Sequence, residues 1–399
     1  MKAIRKTIFW LHLVAGVVGG ILIFIMCVTG AALSFEKNIL ENIEHDQRRV
    51  PGNSVSEVRL QPSQILANVL AAKPEARPAS FASLGDPLAA VTVGLGREGQ
   101  IFVDPYTGNI TGEGNKNARA FFGFMTDLHR YIAMSGDGRW IGKAITGACN
   151  MMFLVLAITG IYMWFPRKLT WQHVRPSFWF RTGISGKARD FNWHTTIGFW
   201  SSLVLIVLTV TAAVISYQWA GNLIFTLTGD EPPKPAAPQN PQQQQAPTPF
   251  VIPDNIDTLW ATAEKRVPEW KSISVRFPIT KEAVFTIDEG TSLNIFGRAS
   301  LTLDATTAET VKWEPYAEKT SAAQIRSWMR FTHTGESFGI IGQFIGLIAC
   351  IGGAFLVYTG FALAFRRLAS FLRRRSKGSQ SSEFAANDLF ESPPKTLEA

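Results

Sequence analysis

Four of the six histidines lie at the ends of long apolar runs, where an ionisable side chain is costly and points to function. His12 and His194 lie near the starts of two runs, and His129 and His333 lie shortly before two others. Neutral imidazoles from facing helices suit axial ligation of haem iron, and a ligand on each face leaves no open position. The residue types therefore predict two electron-transfer sites, in which His12 pairs with His194 and His129 pairs with His333.

Other interpretations of these residues remain open. A single histidine at such a boundary is more often a packing residue held by hydrogen bonds. Zinc fits less well, because no cysteine or carboxylate shares the helical face and a catalytic zinc site needs three protein ligands. Methionine is a weaker candidate for an axial position, although Met/His pairs exist. The candidates of that kind are Met134, Met151 and Met329. His45, between two acidic residues, and His173, in a basic loop, are assigned to the solvated surface.

The elements that must position these histidines are four runs without Asp, Glu, Lys or Arg. They cover residues 7–35, 144–166, 191–229 and 337–365. A helix needs about 20 apolar residues to cross a bilayer, so each run is long enough. The first run is too long for a secretory signal, whose apolar region has roughly 7 to 15 residues, and we interpret it as a retained anchor. No CxxC or CxxCH motif occurs, so a zinc knuckle, a disulfide framework or covalent haem is not indicated.

The charges on the connections predict the orientation of the spans. The N-terminus, the 166–190 loop and the tail after residue 365 together carry a net charge of +11, and the two large connections together carry −3. Because positive loops stay in the cytoplasm, both termini and the 166–190 loop are expected there. The net charge of +8 thus reflects basic residues that cluster beside apolar runs, which argues against nucleic acid as a partner.

The two large connections are therefore expected outside, each as a small α+β module. In each, a helical stretch precedes strand-like stretches. The first has a helix at 61–73 and strands at 80–83 and 89–103; the second has a helix at 258–266 and strands at 272–277, 283–288 and 300–303. A turn at 104–108 (Asp-Pro-Tyr-Thr-Gly) ends the strands of the first module. A Pro- and Gln-rich segment at 229–249 reads as a linker.

The sequence of the apolar runs contains an internal repeat. A shift of 182 residues places His12 over His194 and Thr29 over Thr211. The later parts of the halves match as well, because a Thr-Gly pair at 159–160 corresponds to one at 359–360. Equivalent units of this kind often enclose a site at their interface in membrane proteins. The sequence thus predicts two halves, each made of helix, external module and helix.

Together these features resemble the PepSY-associated transmembrane family of bacterial inner-membrane proteins, over about residues 4–370. The motifs that carry the resemblance are His12 with Gly16, the Leu-His-Arg at 128–130, His194 with Gly198, the His-Thr-Gly at 333–335, the two Thr-Gly pairs and the turn at 104–108. Members of the family include periplasm-facing ferric-siderophore reductases with two b-type haems. The resemblance implies that His12, His194, His129 and His333 are the haem ligands. The second module departs from the pattern, since residues 304–308 read Asp-Ala-Thr-Thr-Ala.

The expected fold is an α-helical membrane protein with four transmembrane helices in two internal repeats and two periplasmic α+β PepSY-like modules. The expected segments are helix 1 (1–35), module 1 (36–120), a periplasmic helix and helix 2 (121–166), a cytoplasmic loop (167–190), helix 3 (191–228), a linker (229–250), module 2 (251–320), a periplasmic helix and helix 4 (321–367) and a cytoplasmic tail (368–399).

The expected activity is reduction of Fe(III) in a ferric siderophore, with two non-covalent haems b as cofactors. A quinol or a cytoplasmic reductase would be the electron donor, and the bilayer is the other partner. A related alternative passes quinol electrons to another periplasmic acceptor. A non-enzymatic alternative has the external modules bind or restrain a periplasmic peptidase or envelope partner, with the histidines merely packed.

Overall fold

The computed structural model describes residues 2–52, 58–165, 170–233, 249–290 and 296–390. Within these ranges, four helical segments are long and apolar enough to cross a membrane. They are Ala3–Ile43, Gly136–Trp164, Gly186–Ser216 and Glu336–Arg375. Each contains a window in which most side chains are not buried by protein, as lipid-facing helices require. The chain therefore has the helices of a multi-pass membrane protein.

The helices of the described residues are numbered in chain order. They are α1 (Lys2–Leu33), α2 (Glu36–Ile43), α3 (Pro62–Ala72), α4 (Lys116–Tyr131), α5 (Arg139–Trp164), α6 (Trp171–Phe178), α7 (Gly186–Ser216), α8 (Gln218–Thr228), α9 (Ile256–Arg266), α10 (Ser321–His333) and α11 (Gly339–Phe390). The third apolar run does not form one helix, because Tyr217 adopts an extended conformation between α7 and α8. The spanning helix is thus shorter than the charge-free run. Most of the expected linker, residues 234–248, lies outside the described residues.

The chain divides into two compact units. The first comprises Met1–Val28, Ile145–Thr209 and Ile348–Ala399. Its helices approach closely: a Cβ added to Gly20 on α1 would lie 2.7 Å from the Phe361 ring on α11. Small residues permit such approaches between membrane helices. The buried carboxylate of Asp190, at the start of α7, lies 2.9 Å from the guanidinium groups of both Arg189 and Arg366.

The second unit comprises Thr29–Ala144 and Val210–Leu347. Its described strands are β1 (Ser80–Leu84), β2 (Val91–Gly94), β3 (Gln100–Val103), β4 (Ile110–Gly112), β5 (Ser272–Arg276), β6 (Glu282–Asp288), β7 (Ala299–Asp304) and β8 (Thr310–Glu314). They form one antiparallel sheet in the order β4-β3-β2-β1-β5-β6-β7-β8. Strands from both large connections therefore share a sheet, which the sequence analysis treated as two modules. The stretch at 89–103 is a hairpin, because a 3₁₀ turn at Gly96–Glu98 divides it.

One face of this sheet packs against α3 and α9, and alternate residues of β1, β2, β5, β6 and β7 are buried there. In β7, for example, Ala299, Leu301 and Leu303 are fully buried, and the residues between them are not. This period of two is what a strand with one buried face requires. Residues of both large connections contribute to the core, since Phe81 on β1 packs against Trp260 on α9 with ring centres 4.9 Å apart. The two segments are thus held by one common core.

The departure at residues 304–308 leaves the turn intact. The Asp304 carboxylate accepts hydrogen bonds from the amides of Thr306 and Thr307, as Asp104 does from Tyr106 and Thr107 in the first turn. The amides of Thr307 and Thr306 hold the pKa of the Asp304 carboxyl below its usual value. The fifth position is left-handed in both turns, with φ of 75° at Gly108 and 57° at Ala308. A non-glycine residue is strained in that region.

Replacing Ala308 by glycine sets this strain against the packing of the buried alanine methyl group. The left-handed conformation costs alanine roughly 1–2 kcal/mol, whereas the greater freedom of glycine in the unfolded chain costs about 0.5–1 kcal/mol and the loss of the buried methyl group costs about 0.8 kcal/mol. We expect Ala308→Gly to change the free energy of unfolding by less than about 0.5 kcal/mol, measured by thermal unfolding of the detergent-solubilised chain. Ala305→Gly, in the same turn but without a positive φ, is the control and should destabilise the protein by about 0.5–1 kcal/mol.

Candidate functional site

The first unit brings His12 and His194 face to face. His12 lies on α1 and His194 on α7, 182 residues apart in the chain. Their ring centres are 6.4 Å apart, and the ring planes are nearly perpendicular at 84°. Both side chains are partly buried among apolar helices. The pairing of these two histidines, expected from the repeat, is thus present in the structure.

The separation of the two rings allows a direct test of whether a haem iron fits between them. Two imidazoles that share one metal ion place their ring centres about 6 Å apart, because each ligating nitrogen lies about 2 Å from the ion and about 1 Å from its ring centre. The observed 6.4 Å matches this spacing. Imidazole is also a ligand that haem iron takes in proteins. The donor set therefore fits axial coordination from both sides.

Each of these rings is hydrogen-bonded at Nδ1 to a threonine of another helix. His12 Nδ1 lies 2.8 Å from the hydroxyl of Thr159 on α5, and His194 Nδ1 lies 2.9 Å from that of Thr359 on α11. The glycine that follows each threonine lies against the same ring: a Cβ at Gly160 would be 3.6 Å from Cε1 of His12. The Thr-Gly pairs thus orient the imidazoles and leave Nε2 on the opposite side of each ring.

His129 and His333, in the second unit, have the same kind of partner. His129 Nδ1, near the end of α4, lies 2.8 Å from the hydroxyl of Thr29 on α1. His333 Nδ1, at the end of α10, lies 3.1 Å from that of Thr211 on α7. Both threonine side chains are at least 95% buried. All four histidines expected from the sequence therefore have Nδ1 fixed by a threonine hydroxyl.

A buried carboxylate holds α4, and with it His129, against α2. Glu44 follows α2 and is fully buried. The Arg119 guanidinium donates to both of its oxygens at 2.6 Å, Arg48 donates at 2.8 Å, and the amide of Asn115 donates at 2.9 Å. Burial alone would raise the pKa of Glu44, but these donors hold it below its ordinary value. Because α2 follows α1, the cluster sets the start of α4 relative to the helix that carries Thr29.

The end of α4 is abrupt. Ile132 and Ala133 both adopt left-handed conformations, with φ of 54° and 55°. Their amides return to the carbonyls of Leu128 and Asp127 at 3.1 and 3.0 Å, which satisfies the last turn of the helix. A β-branched residue with positive φ is rare, and such strain clusters at functional sites. The helix thus ends at Tyr131, two residues after His129.

An open cavity of about 490 Å³ adjoins the threonine behind His333. It is lined by Thr211, Ser321, Gln324, Ile325, Trp328, Met329 and Thr332. Its lining combines neutral polar groups with apolar side chains.

The comparison with protein families agrees with the four membrane helices. Residues 9–367 match the family model described as the PepSY-associated TM region. The chain belongs to this family. Family membership accounts for nearly the whole chain and supports a multi-pass membrane protein. A comparison with curated proteins finds no match.

The role of the four threonines as histidine partners was not predicted from the sequence, although two signals were present. Thr29 and Thr211 coincide in the repeat, and the Thr-Gly pairs at 159–160 and 359–360 recur at the ends of the halves. His45 is exposed and contacts Asp46 at 3.1 Å, as expected for a surface residue. The His173 side chain lies outside the described part of the chain. Met329, a weaker ligand candidate, packs against the cluster of Ile224 and Phe225.

Proposed function

We propose that this chain is an inner-membrane oxidoreductase that reduces Fe(III) in a ferric siderophore on the periplasmic side. His12 and His194 would hold one haem b near the cytoplasm, and His129 and His333 would hold a second near the periplasm. A bis-histidine haem supplies one-electron transfer and has no open position for oxygen. One observation carries the proposal. The rings of His12 and His194 face each other, and the distance between their centres is that expected for two imidazoles bound to one metal ion.

The protein's own contribution is to orient the ligands and to exclude water from them. Apolar helices surround the His12–His194 pair, and threonines fix the four ring orientations. Such burial and hydrogen bonding set the potential of a bound centre. The net positive charge on the short connections supports cytoplasmic termini, so that the eight-stranded sheet lies in the periplasm.

The substrate step is a single electron transfer. Fe(III) in the siderophore gains one electron, which a quinol or a cytoplasmic reductase supplies, and becomes Fe(II). A hard-oxygen chelate holds Fe(II) less tightly than Fe(III), so reduction releases the metal and leaves the carrier intact. This chemistry needs no nucleophile or general base from the protein.

The test is spectroscopic and then functional. The full-length protein is purified from cells supplied with a haem precursor, and haem is quantified by pyridine haemochrome. We expect about two haems b per chain, and oxidation of the dithionite-reduced protein on addition of a ferric hydroxamate or catecholate siderophore. A colourless protein would reject the proposal and favour the alternative in which the periplasmic sheet binds or restrains a peptidase or envelope partner. A red protein that both chelates fail to oxidise would favour a different periplasmic acceptor.

A further inference from the structure

The hydroxyl groups of Thr159 and Thr359 each have one proton, and the structure shows where it goes. Thr159 Oγ1 lies 2.6 Å from the carbonyl of Val155, and Thr359 Oγ1 lies 2.8 Å from that of Phe355. A carbonyl oxygen only accepts hydrogen bonds, so each hydroxyl donates to its own helix. Toward the histidine, each threonine therefore presents only an oxygen lone pair.

The direction of these threonine hydrogen bonds determines which nitrogen of each facing imidazole carries the proton. The contacts of Thr159 with His12 at 2.8 Å and of Thr359 with His194 at 2.9 Å are hydrogen bonds only if Nδ1 carries the hydrogen. In a neutral imidazole, Nε2 then has the free lone pair. The opposite tautomer would place two lone pairs against each other among apolar helices, which is unfavourable.

We propose that Thr159 and Thr359 are positioning residues that select the Nδ1–H tautomer of His12 and His194 and so present both Nε2 atoms to a shared metal ion. This inference rests on the proposed function for the identity of the metal centre, but the tautomer follows from the contacts alone. Hydrogen bonding at Nδ1 raises the basicity of the ligating nitrogen. The threonines therefore strengthen binding and favour the higher oxidation state of the bound iron.

A neutral acceptor also distinguishes this site from one with a carboxylate partner. A carboxylate at Nδ1 would draw the ring toward imidazolate, whereas a hydroxyl that donates elsewhere accepts the hydrogen without adding charge. The Nδ1 partners of His12 and His194 are both uncharged hydroxyl groups. The two ligands thus remain neutral imidazoles.

The experiment compares Thr159→Val and Thr359→Val with the matching serine variants in the full-length protein. Valine keeps the shape and removes the acceptor, whereas serine keeps the hydroxyl. The valine variants should bind haem at this site about 10–100-fold more weakly, and its midpoint potential should shift upward. Thr159→Ser and Thr359→Ser should restore both values. Thr209→Val is the matched control, because Thr209 makes the same bond to its own helix, 2.8 Å from the Leu205 carbonyl.

A second measurement separates this proposal from the proposed function. Nitrogen-15 spectra of histidine-labelled protein without haem should show protonated Nδ1 for both His12 and His194, and each valine variant should lose the signal of its own histidine. Unchanged tautomers, affinity and potential in the valine variants would overturn the proposal, as would serine variants that behave like valine. If the protein binds no haem but shows these tautomers, the proposed function fails and the positioning role stands.

Discussion

His194→Ala is expected to lower the haem content of the purified protein from about two per chain to about one. The substitution removes one of two imidazoles whose ring centres lie 6.4 Å apart, and the loss of one of two ligands weakens the hold on the group enough for it to be lost during purification. His12→Ala should have the same effect. Under the proposed function, transfer of electrons to a ferric siderophore should fall to background in both variants, because the proposed electron path loses the haem on its cytoplasmic side.

Double variants give this prediction its sharpest form. The double variant His12→Ala with His194→Ala should lose no more haem per chain than either single variant, since both residues belong to one proposed site. His194→Ala combined with His333→Ala should remove nearly all haem, since these residues belong to different sites. His45→Ala, at the exposed histidine bonded to Asp46, is the control and should retain the full content. A loss of both haems from His12→Ala with His194→Ala would mean that the histidines are not paired as proposed.

Glu44→Ala is expected to be among the most destabilising single substitutions in the chain. It leaves Arg119 and Arg48 without the carboxylate that they share, and it removes the acceptor of the Asn115 amide. Breaking a buried ion pair by removing one partner costs about 3–5 kcal/mol. Thermal unfolding of the detergent-solubilised protein at pH 7 measures the change. Glu41→Ala, at an exposed position of α2, is the matched control and should change stability little.

The pH dependence of this effect has a definite sign. The folded protein holds the pKa of Glu44 below its ordinary value, so its stabilising contribution is complete above about pH 4.3 and is lost as pH falls through the lowered pKa. The stability difference between the wild type and Glu44→Ala should therefore narrow at pH 3. A difference that stays constant from pH 7 to pH 3 would contradict an ionised Glu44 as its source.

The membrane helices and the histidines were accessible from the sequence for clear physical reasons. A bilayer requires about 20 apolar residues per helix, and this constraint makes charge-free runs easy to recognise. An ionisable residue beside such a run is conspicuous, which singled out His12 and His194 before their contact was known. The role of the four histidines as haem ligands stays a prediction, which the haem quantitation tests.

The threonine partners and the joined sheet depended on contacts between distant parts of the chain. Thr159 reaches His12 across 147 residues, and a threonine within an apolar helix has no local pattern that reveals such a bond. Likewise, strand alternation predicts which face of β1 is buried but not which strand lies beside it. At the turn of residues 304–308, by contrast, the sequence suggested a difference that the structure does not have. The same backbone forms around Ala308 although proline and glycine are missing.

The pairing of β1 with β5 has a consequence for biosynthesis. Five residue pairs join these strands, from Ser80 with Arg276 to Leu84 with Ser272. The ribosome completes β1 long before β5, and two membrane segments are made in between. Until then β1 pairs only with β2 and its other edge is unpaired, and Phe81 lacks its contact with Trp260. A nascent chain that stalls before residue 272 thus exposes an unpaired strand edge and an uncovered aromatic side chain, both of which a chaperone or a protease can recognise.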